Sequence, residues 1–246
     1  MAQLKLKLVH LYPLFLNLYG DAGNILTLKK RCEWRGIDLE IEHINIDDKI
    51  EEGTDIYFIG GGQDRQQVEV SEELQKHKSI LTAEYHNDAV FLGICGGYQL
   101  MGEYYQPHDA KRLEGIGLLD AYTVAGSTRF IGNVTAEVNY LMPTTIVGFE
   151  NHSGLTYLNT DNNDTKPMAT IMTGKGNNGQ DKTEGARSRN AFGTYLHGSF
   201  LPKNPHFADY LIKLALRKRY NDDIELASLD DSLEFNAHNS VLNKQY

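Results

Sequence analysis

The run Ala89-Val90-Phe91-Leu92-Gly93-Ile94-Cys95-Gly96-Gly97-Tyr98-Gln99 decides the fold of this chain. Its first half, AVFLGI, is apolar without polar alternation, as expected of a strand in a parallel sheet covered by helices on both faces. Its second half opens a helical stretch over 98–104, which puts the cysteine on a sharp strand-to-helix turn. Such an elbow needs glycines beside the nucleophile, because strained backbone angles and close packing leave no room for a Cβ. Gly93, Gly96 and Gly97 meet that need. A cysteine at the start of a helix also sits at the positive end of the macrodipole, which favours the thiolate. Cys95 is therefore a candidate nucleophile; the competing reading is a small buried core cysteine.

Working outward, strands are predicted over 4–12 and 37–46, with a helix over 24–34 that places Ile25, Leu28 and Cys32 on one face and stops at Gly36. Cys32 reads as core. A short apolar strand over 55–59 (DIYFI) ends in Gly60-Gly61-Gly62, and a helix is predicted over 71–87. Strands alternating with helices specify a parallel, right-handed α/β sheet. Beyond Gly115 the texture changes to short strands and turn residues, so the second half of the chain is predicted to be more antiparallel. Residues 174–182 (GKGNNGQDK) read as a hairpin tip or mobile loop, and 159–166 as a polar stretch. A strand over 191–196 and a helix over 205–220 precede an acidic C-terminal segment, about 221–246. With no internal repeat and no clear linker, 1–246 is expected to form one domain.

The 246 residues, 41% of them hydrophobic, are enough to bury a core, and no apolar run reaches the roughly 20 residues that span a bilayer. The opening lacks a secretory cleavage pattern, so the expected location is the cytoplasm, without membrane insertion. The net charge of −9 is spread, with no basic stripe, which argues against a nucleic-acid partner. Two cysteines and nine histidines show no metal-ligand spacing.

A cysteine nucleophile needs a base. In Gly193-Thr194-Tyr195-Leu196-His197-Gly198 a histidine ends a late apolar strand, where α/β sheets place their active-site crevices. His197 is the candidate acid and base, against the plainer reading of a capping or solvent-facing histidine. The triple glycine 60–62 exposes backbone N–H groups that suit a phosphate or an oxyanion. It continues Gln63-Asp64-Arg65 and not Lys-Ser or Lys-Thr, so the oxyanion reading is preferred, with the Gly96 N–H as second donor.

The motifs FIGGG (58–62), GICGGYQ (93–99) and GTYLHG (193–198) resemble the class I, triad-type glutamine amidotransferases, most closely their cobyric-acid-synthase-like branch. LNLYGDAGNILTLKKRCEWRG (16–36), VGFENHSGLTYL (147–158) and the length are similar to the glutaminase subunits of lipid II isoglutaminyl synthases, which pair with the Mur-ligase-like MurT. The resemblance implies a flavodoxin-like α/β fold, and Cys95 attacking the L-glutamine carboxamide with His197 as acid and base. It implies Gly61, Gly62 and Gly96 as the oxyanion hole and Gln99 facing the substrate. Arg129 would bind the α-carboxylate; by residue type alone it suits a surface ion pair equally well. The segment Asn151-His152-Ser153-Gly154 would wall the pocket, with His152 a rival base. Ammonia would pass to the heterodimer partner, and since no phosphate loop, kinase signature or metal site is visible, ATP and Mg are expected there and no cofactor in this chain.

One departure stands out. The usual triad continues His-Pro-Glu, whereas here His197 is followed by Gly198-Ser199. The orienting carboxylate is expected from the partner, with Glu150 the leading in-chain candidate. Three rivals share the site or fold: a stand-alone γ-glutamyl cysteine hydrolase, a corrinoid amidotransferase subunit and a non-catalytic regulatory subunit.

Overall fold

The computed structural model describes residues 3–17, 20–62, 64–159 and 164–243; Gln63 and residues 160–163 of the polar stretch over 159–166 lie outside them. Strand β1 (Lys5–Leu11), helix α1 (Ala22–Glu33), β2 (Asp38–Ile44), β3 (Ile56–Ile59), helix α2 (Asp64–His86) and β4 (Val90–Ile94) form the predicted alternation. After α3 (Gly96–Met101) come β5 (Tyr104–Gln106), β6 (Leu113–Glu114), β7 (Ala121–Glu137), β8 (Thr145–Leu158), β9 (Ala169–Thr173) and β10 (Thr183–Glu184). The chain then adds β11 (Ala186–Ser188), β12 (Ala191–Thr194), a 3-10 turn (Leu201–Lys203), α4 (Pro205–Tyr220) and α5 (Ser232–Leu242).

The main sheet runs β11-β12-β4-β3-β1-β2, parallel except for the antiparallel edge strand β11. Its inner strands β3 and β4 are buried along their whole length, which is why their sequences do not alternate. One face packs Leu8, Phe58 and Leu92 against α1 and α4; the other packs Tyr57, Ile59 and Phe91 against α2. A second sheet, β10-β9-β7-β5-β6 with β8 paired to β7, carries the antiparallel half. Its residues Val134, Ala136 and Ile146 join the first core cluster and Ala121 the second, so the second sheet touches both.

Two local readings are corrected and a third is narrowed to one of its alternatives. Helix α2 begins at Asp64, ahead of the expected residue 71, because residues 65–70 contain no breaker and several good helix formers. The 98–104 helix ends at Met101, where Gly102 leaves the helical region and Tyr104 enters β5. The GKGNNGQDK segment is a hairpin tip between β9 and β10, and it is pinned. Asn177 is fully buried, and its amide donates to Gly185 O at 2.9 Å and Thr183 Oγ1 at 2.8 Å. The acidic tail contains α5, held down because the buried Arg31 guanidinium reaches both Asp209 and Asp231. Among the described residues no helix is long and apolar enough to cross a membrane.

Candidate active site

A parallel sheet brings the loops after its C-terminal strand ends together. Here the loops following β1, β3, β4 and β12 carry Asp21, Gly60–Gly62, Cys95 and His197 respectively.

Cys95 has φ 50° and ψ −103°, a conformation that side chains rarely adopt and that fits a nucleophile held on a strained elbow. The flanking glycines are required for different reasons. A Cβ on Gly97 would strike the Ile59 carbonyl of the neighbouring strand, and one on Gly93 would lie 2.6 Å from Met101 Sδ and 2.9 Å from Tyr98 N. His197 follows β12, and its backbone is clamped by Phe149 of β8, donating to Phe149 O at 2.8 Å.

A carboxylate of this chain lies beside His197. Asp21 Oδ1 lies 3.3 Å from His197 Nδ1, with both side chains almost wholly buried. Asp21 stands at the N-cap of α1 but makes no capping bond with its side chain; its Oδ2 accepts the Gly61 N–H at 2.7 Å. The carboxylate is thus oriented by one backbone donor and left to face the imidazole. A Cβ on Gly61 would lie 2.9 Å from His197 Cε1, 3.2 Å from Asp21 Oδ2 and 3.4 Å from Cys95 Cβ, so the three side chains converge around this glycine. The expectation of a carboxylate from outside the chain is corrected on this geometry. Glu150 is not the substitute either: its carboxylate accepts the Lys175 and Gly176 N–H groups at 2.9–3.1 Å.

Burial pushes the His197 pKa down, but the Cys95 charge, then hydrogen bonds to Asp21 and Cys95, outweigh it and raise it to about 10. The arrangement therefore favours the imidazolium form of His197. In Cys95→Ala the dominant raising contribution disappears, so the His197 imidazole is expected to titrate well below its wild-type value in an NMR pH series. Identical titration in both proteins would show that the two side chains are not coupled.

The remaining predicted residues fall into place unequally. Gly61 cannot serve as an oxyanion donor while its N–H is held by Asp21. The Gly62 N lies 3.2 Å from where a Gly96 Cβ would stand, so these two backbones approach each other beside Cys95. His152 is buried, hydrogen-bonds Gly154 O through Nδ1 at 2.8 Å, and stacks on Tyr195 with centroids 3.6 Å apart and planes 5° apart. Burial, opposed by that bond, lowers its pKa to about 4, and its Nδ1 is engaged by Gly154 O. Ser153 is on the opposite face of β8 from His152, across from the irregularity between Ala125 and Phe130 in β7. Arg129 sits in that irregularity and donates to Asn151 Oδ1 at 2.6 Å and Asn151 O at 3.3 Å. It lines a groove of about 830 Å³ with Phe130, Phe149 and Lys175. Among the described residues no group of three or more His, Cys, Asp or Glu could hold a metal ion.

Sequence reasoning missed Asp21 as a site residue. Its signal was a buried-type carboxylate in the glycine-flanked loop after the first strand, at the same sheet end as Cys95 and His197, but separated from His197 by most of the chain.

Residues 7–205 match the CobB/CobQ-like glutamine amidotransferase domain. The chain is 39% identical over 231 residues to the lipid II isoglutaminyl synthase (glutamine-hydrolyzing) subunit GatD of Streptococcus pneumoniae, covering 93% of this chain and 87% of that protein. It is 38% identical over 241 residues to the subunit of the same name from Staphylococcus aureus, covering 98% and 96%. A crystal structure of a glutamine amidotransferase from Thermotoga maritima superposes with a TM-score of 0.55 at 14% identity, covering 96% of each chain, a likeness of fold.

Proposed function

The chain belongs to the CobB/CobQ-like glutamine amidotransferases, and from that premise we propose that it is the glutaminase of a lipid II isoglutaminyl synthase. It hydrolyses L-glutamine at Cys95 and delivers ammonia to a Mur-ligase-like partner, MurT, which amidates the D-glutamate α-carboxylate of lipid II. The observation that carries this reading is the meeting of Cys95, His197 and Asp21 around Gly61. The names of the two bacterial relatives supply the acceptor.

In this mechanism the Cys95 thiolate attacks the side-chain carbonyl of glutamine, and the oxygen gathers charge toward the Gly62 and Gly96 N–H groups. The C–N bond breaks as the His197 imidazolium gives its proton to the leaving nitrogen, which departs as ammonia. The neutral imidazole then takes a proton from water, whose oxygen attacks the glutamyl thioester and releases glutamate and the thiolate. Asp21 holds Nδ1–H throughout, keeping Nε2 as the working nitrogen. Activation of the acceptor carboxylate by ATP and Mg is assigned to the partner. A shielded path between the subunits follows from the chemistry, because ammonium at neutral pH is not a nucleophile.

Arg129 is assigned to the substrate α-carboxylate. A charged hydrogen-bonded contact of this kind implies that Arg129→Ala raises the KM for glutamine by about 10- to 150-fold. Unchanged glutamine kinetics would place the side chain outside the pocket. The deciding experiment for the function is co-purification of the native partner, followed by glutaminase and lipid II amidation assays with and without it. Because Asp21 supplies the carboxylate, stimulation by the partner is expected to survive neutralisation of the partner's interface carboxylates.

The same complete triad favours a second reading, a stand-alone γ-glutamyl cysteine hydrolase. Steady turnover of small γ-glutamyl amides by the purified chain, with no gain on adding a partner, would select it.

A further inference from the structure

Helix α2 reaches the site through a side chain that the mechanism above does not use. Gln67, in its first turn, is buried, and its Nε2 donates to Gly62 O at 3.2 Å. A backbone carbonyl can only accept, so the end of the carboxamide that faces Gly62 is the NH₂ end. The same carboxamide lies against the elbow. A Cβ on Gly96 would stand 2.7 Å from Gln67 Nε2, 3.1 Å from its Cδ and 3.2 Å from Gly62 N. One side-chain amide thus touches both of the backbones that supply the oxyanion donors.

In the glycine loop this contact completes a pattern, because each of the three residues is fastened by a different helix. Gly60 O accepts the Gly97 N–H of α3 at 3.1 Å, the Gly61 N–H goes to Asp21 at the head of α1, and Gly62 O takes the Gln67 amide of α2. Three successive glycines have no Cβ to restrict their backbone angles, so such a loop keeps one shape only where its polar groups are held. The fastenings on the Gly61 N–H and on Gly62 O bracket the peptide that carries the Gly62 N–H. That N–H has no partner among the described residues. It is left for a substrate oxygen, with its direction set on one side by Asp21 and on the other by Gln67.

We propose that Gln67 is a positioning residue for the oxyanion: by holding Gly62 O and packing on Gly96 it aims the Gly62 and Gly96 N–H groups at one point, where the carbonyl oxygen of glutamine gathers charge. The inference rests on the glutaminase reading of the site. Because the carbonyl of bound substrate carries little of that charge, misaimed donors cost rate and not affinity.

The test compares the assembled complex of the wild type with Gln67→Met, which keeps the length of the side chain but has no proton to donate. Its kcat for glutamine hydrolysis is expected to fall about 10-fold or more, short of the roughly 10²- to 10³-fold that follows outright loss of an oxyanion donor, with KM changed by less than about threefold. L-Glutamate γ-semialdehyde reads the donors directly. The Cys95 sulfur adds to its aldehyde carbon, the C=O electron pair moves onto the oxygen, and that oxygen takes the place of the one in the tetrahedral intermediate. Its Ki should therefore rise by the same factor as kcat falls. Alkylation of Cys95 by iodoacetamide, a displacement that builds no oxyanion, should keep its wild-type rate. Wild-type kcat and Ki in Gln67→Met would overturn the inference, and so would a parallel loss of alkylation, which would mean general damage to the elbow. If the methionine variant does not fold, Gln67→Glu carries the test. Only its protonated acid can donate to Gly62 O, so its kcat relative to the wild type must climb as the pH is lowered; a ratio independent of pH would overturn the role. Absence of glutaminase activity in the wild-type complex would instead remove the proposed function, a separate outcome from an active wild type with an indifferent Gln67→Met.

Discussion

Cys95→Ser is expected to abolish glutamine-driven amidation by the assembled enzyme while leaving amidation from added ammonium salts near the wild-type rate. The serine hydroxyl is close in shape to the thiol but titrates far above it, so the neighbouring imidazole has no thiolate to pair with and no comparable nucleophile forms. The fold should be retained, because the elbow depends on Gly93, Gly96 and Gly97 and not on sulfur. The ammonium arm makes the result specific: a variant that damaged docking or the partner would lose both activities. Glutamine-driven turnover at the wild-type rate in Cys95→Ser would remove this residue as the nucleophile.

Asp21→Asn is expected to lower the kcat of glutamine hydrolysis by up to about 10⁴-fold with little change in KM. The Gly61 N–H demands an acceptor from residue 21, and the present Oδ2 meets it at 2.7 Å. An asparagine satisfies that donor with its carbonyl oxygen and so turns its NH₂ toward His197 Nδ1. The imidazole must then accept at Nδ1 and carry its proton on Nε2, on the side of Cys95, where it cannot act as base. Thermal unfolding should shift only modestly, since the shape of the side chain is kept. A kcat within about tenfold of wild type would mean that another carboxylate orients His197.

The elbow was legible because its constraints are local. An unbroken apolar strand, a cysteine and three glycines within five positions state the turn and the nucleophile together. His197 was legible for a similar reason, as the end of an apolar strand, although the strand order that sets it beside Cys95 was not. The glycine loop at 60–62 was recognised as a donor site, but the division of labour within it was not, since only the approach of Asp21 shows that the Gly61 N–H is already taken. The hairpin tip looked mobile by composition, because glycine and asparagine favour turns whether or not a turn is anchored. Asn177 and Asn178 are buried in this one.

The amino-acid sequence by itself determined the parallel sheet, the family, and Cys95 and His197 as candidates for nucleophile and base, because each depends on residues close together in the chain or on a simple periodicity. Only the tertiary structure brought Asp21 beside His197 and buried His152 against Tyr195. Both depend on distance and burial between residues far apart in sequence. Asp21 and His197 are 176 positions apart in the chain and 3.3 Å apart in space. A carboxylate carries no mark of which imidazole it will meet until the strands that carry both are packed side by side.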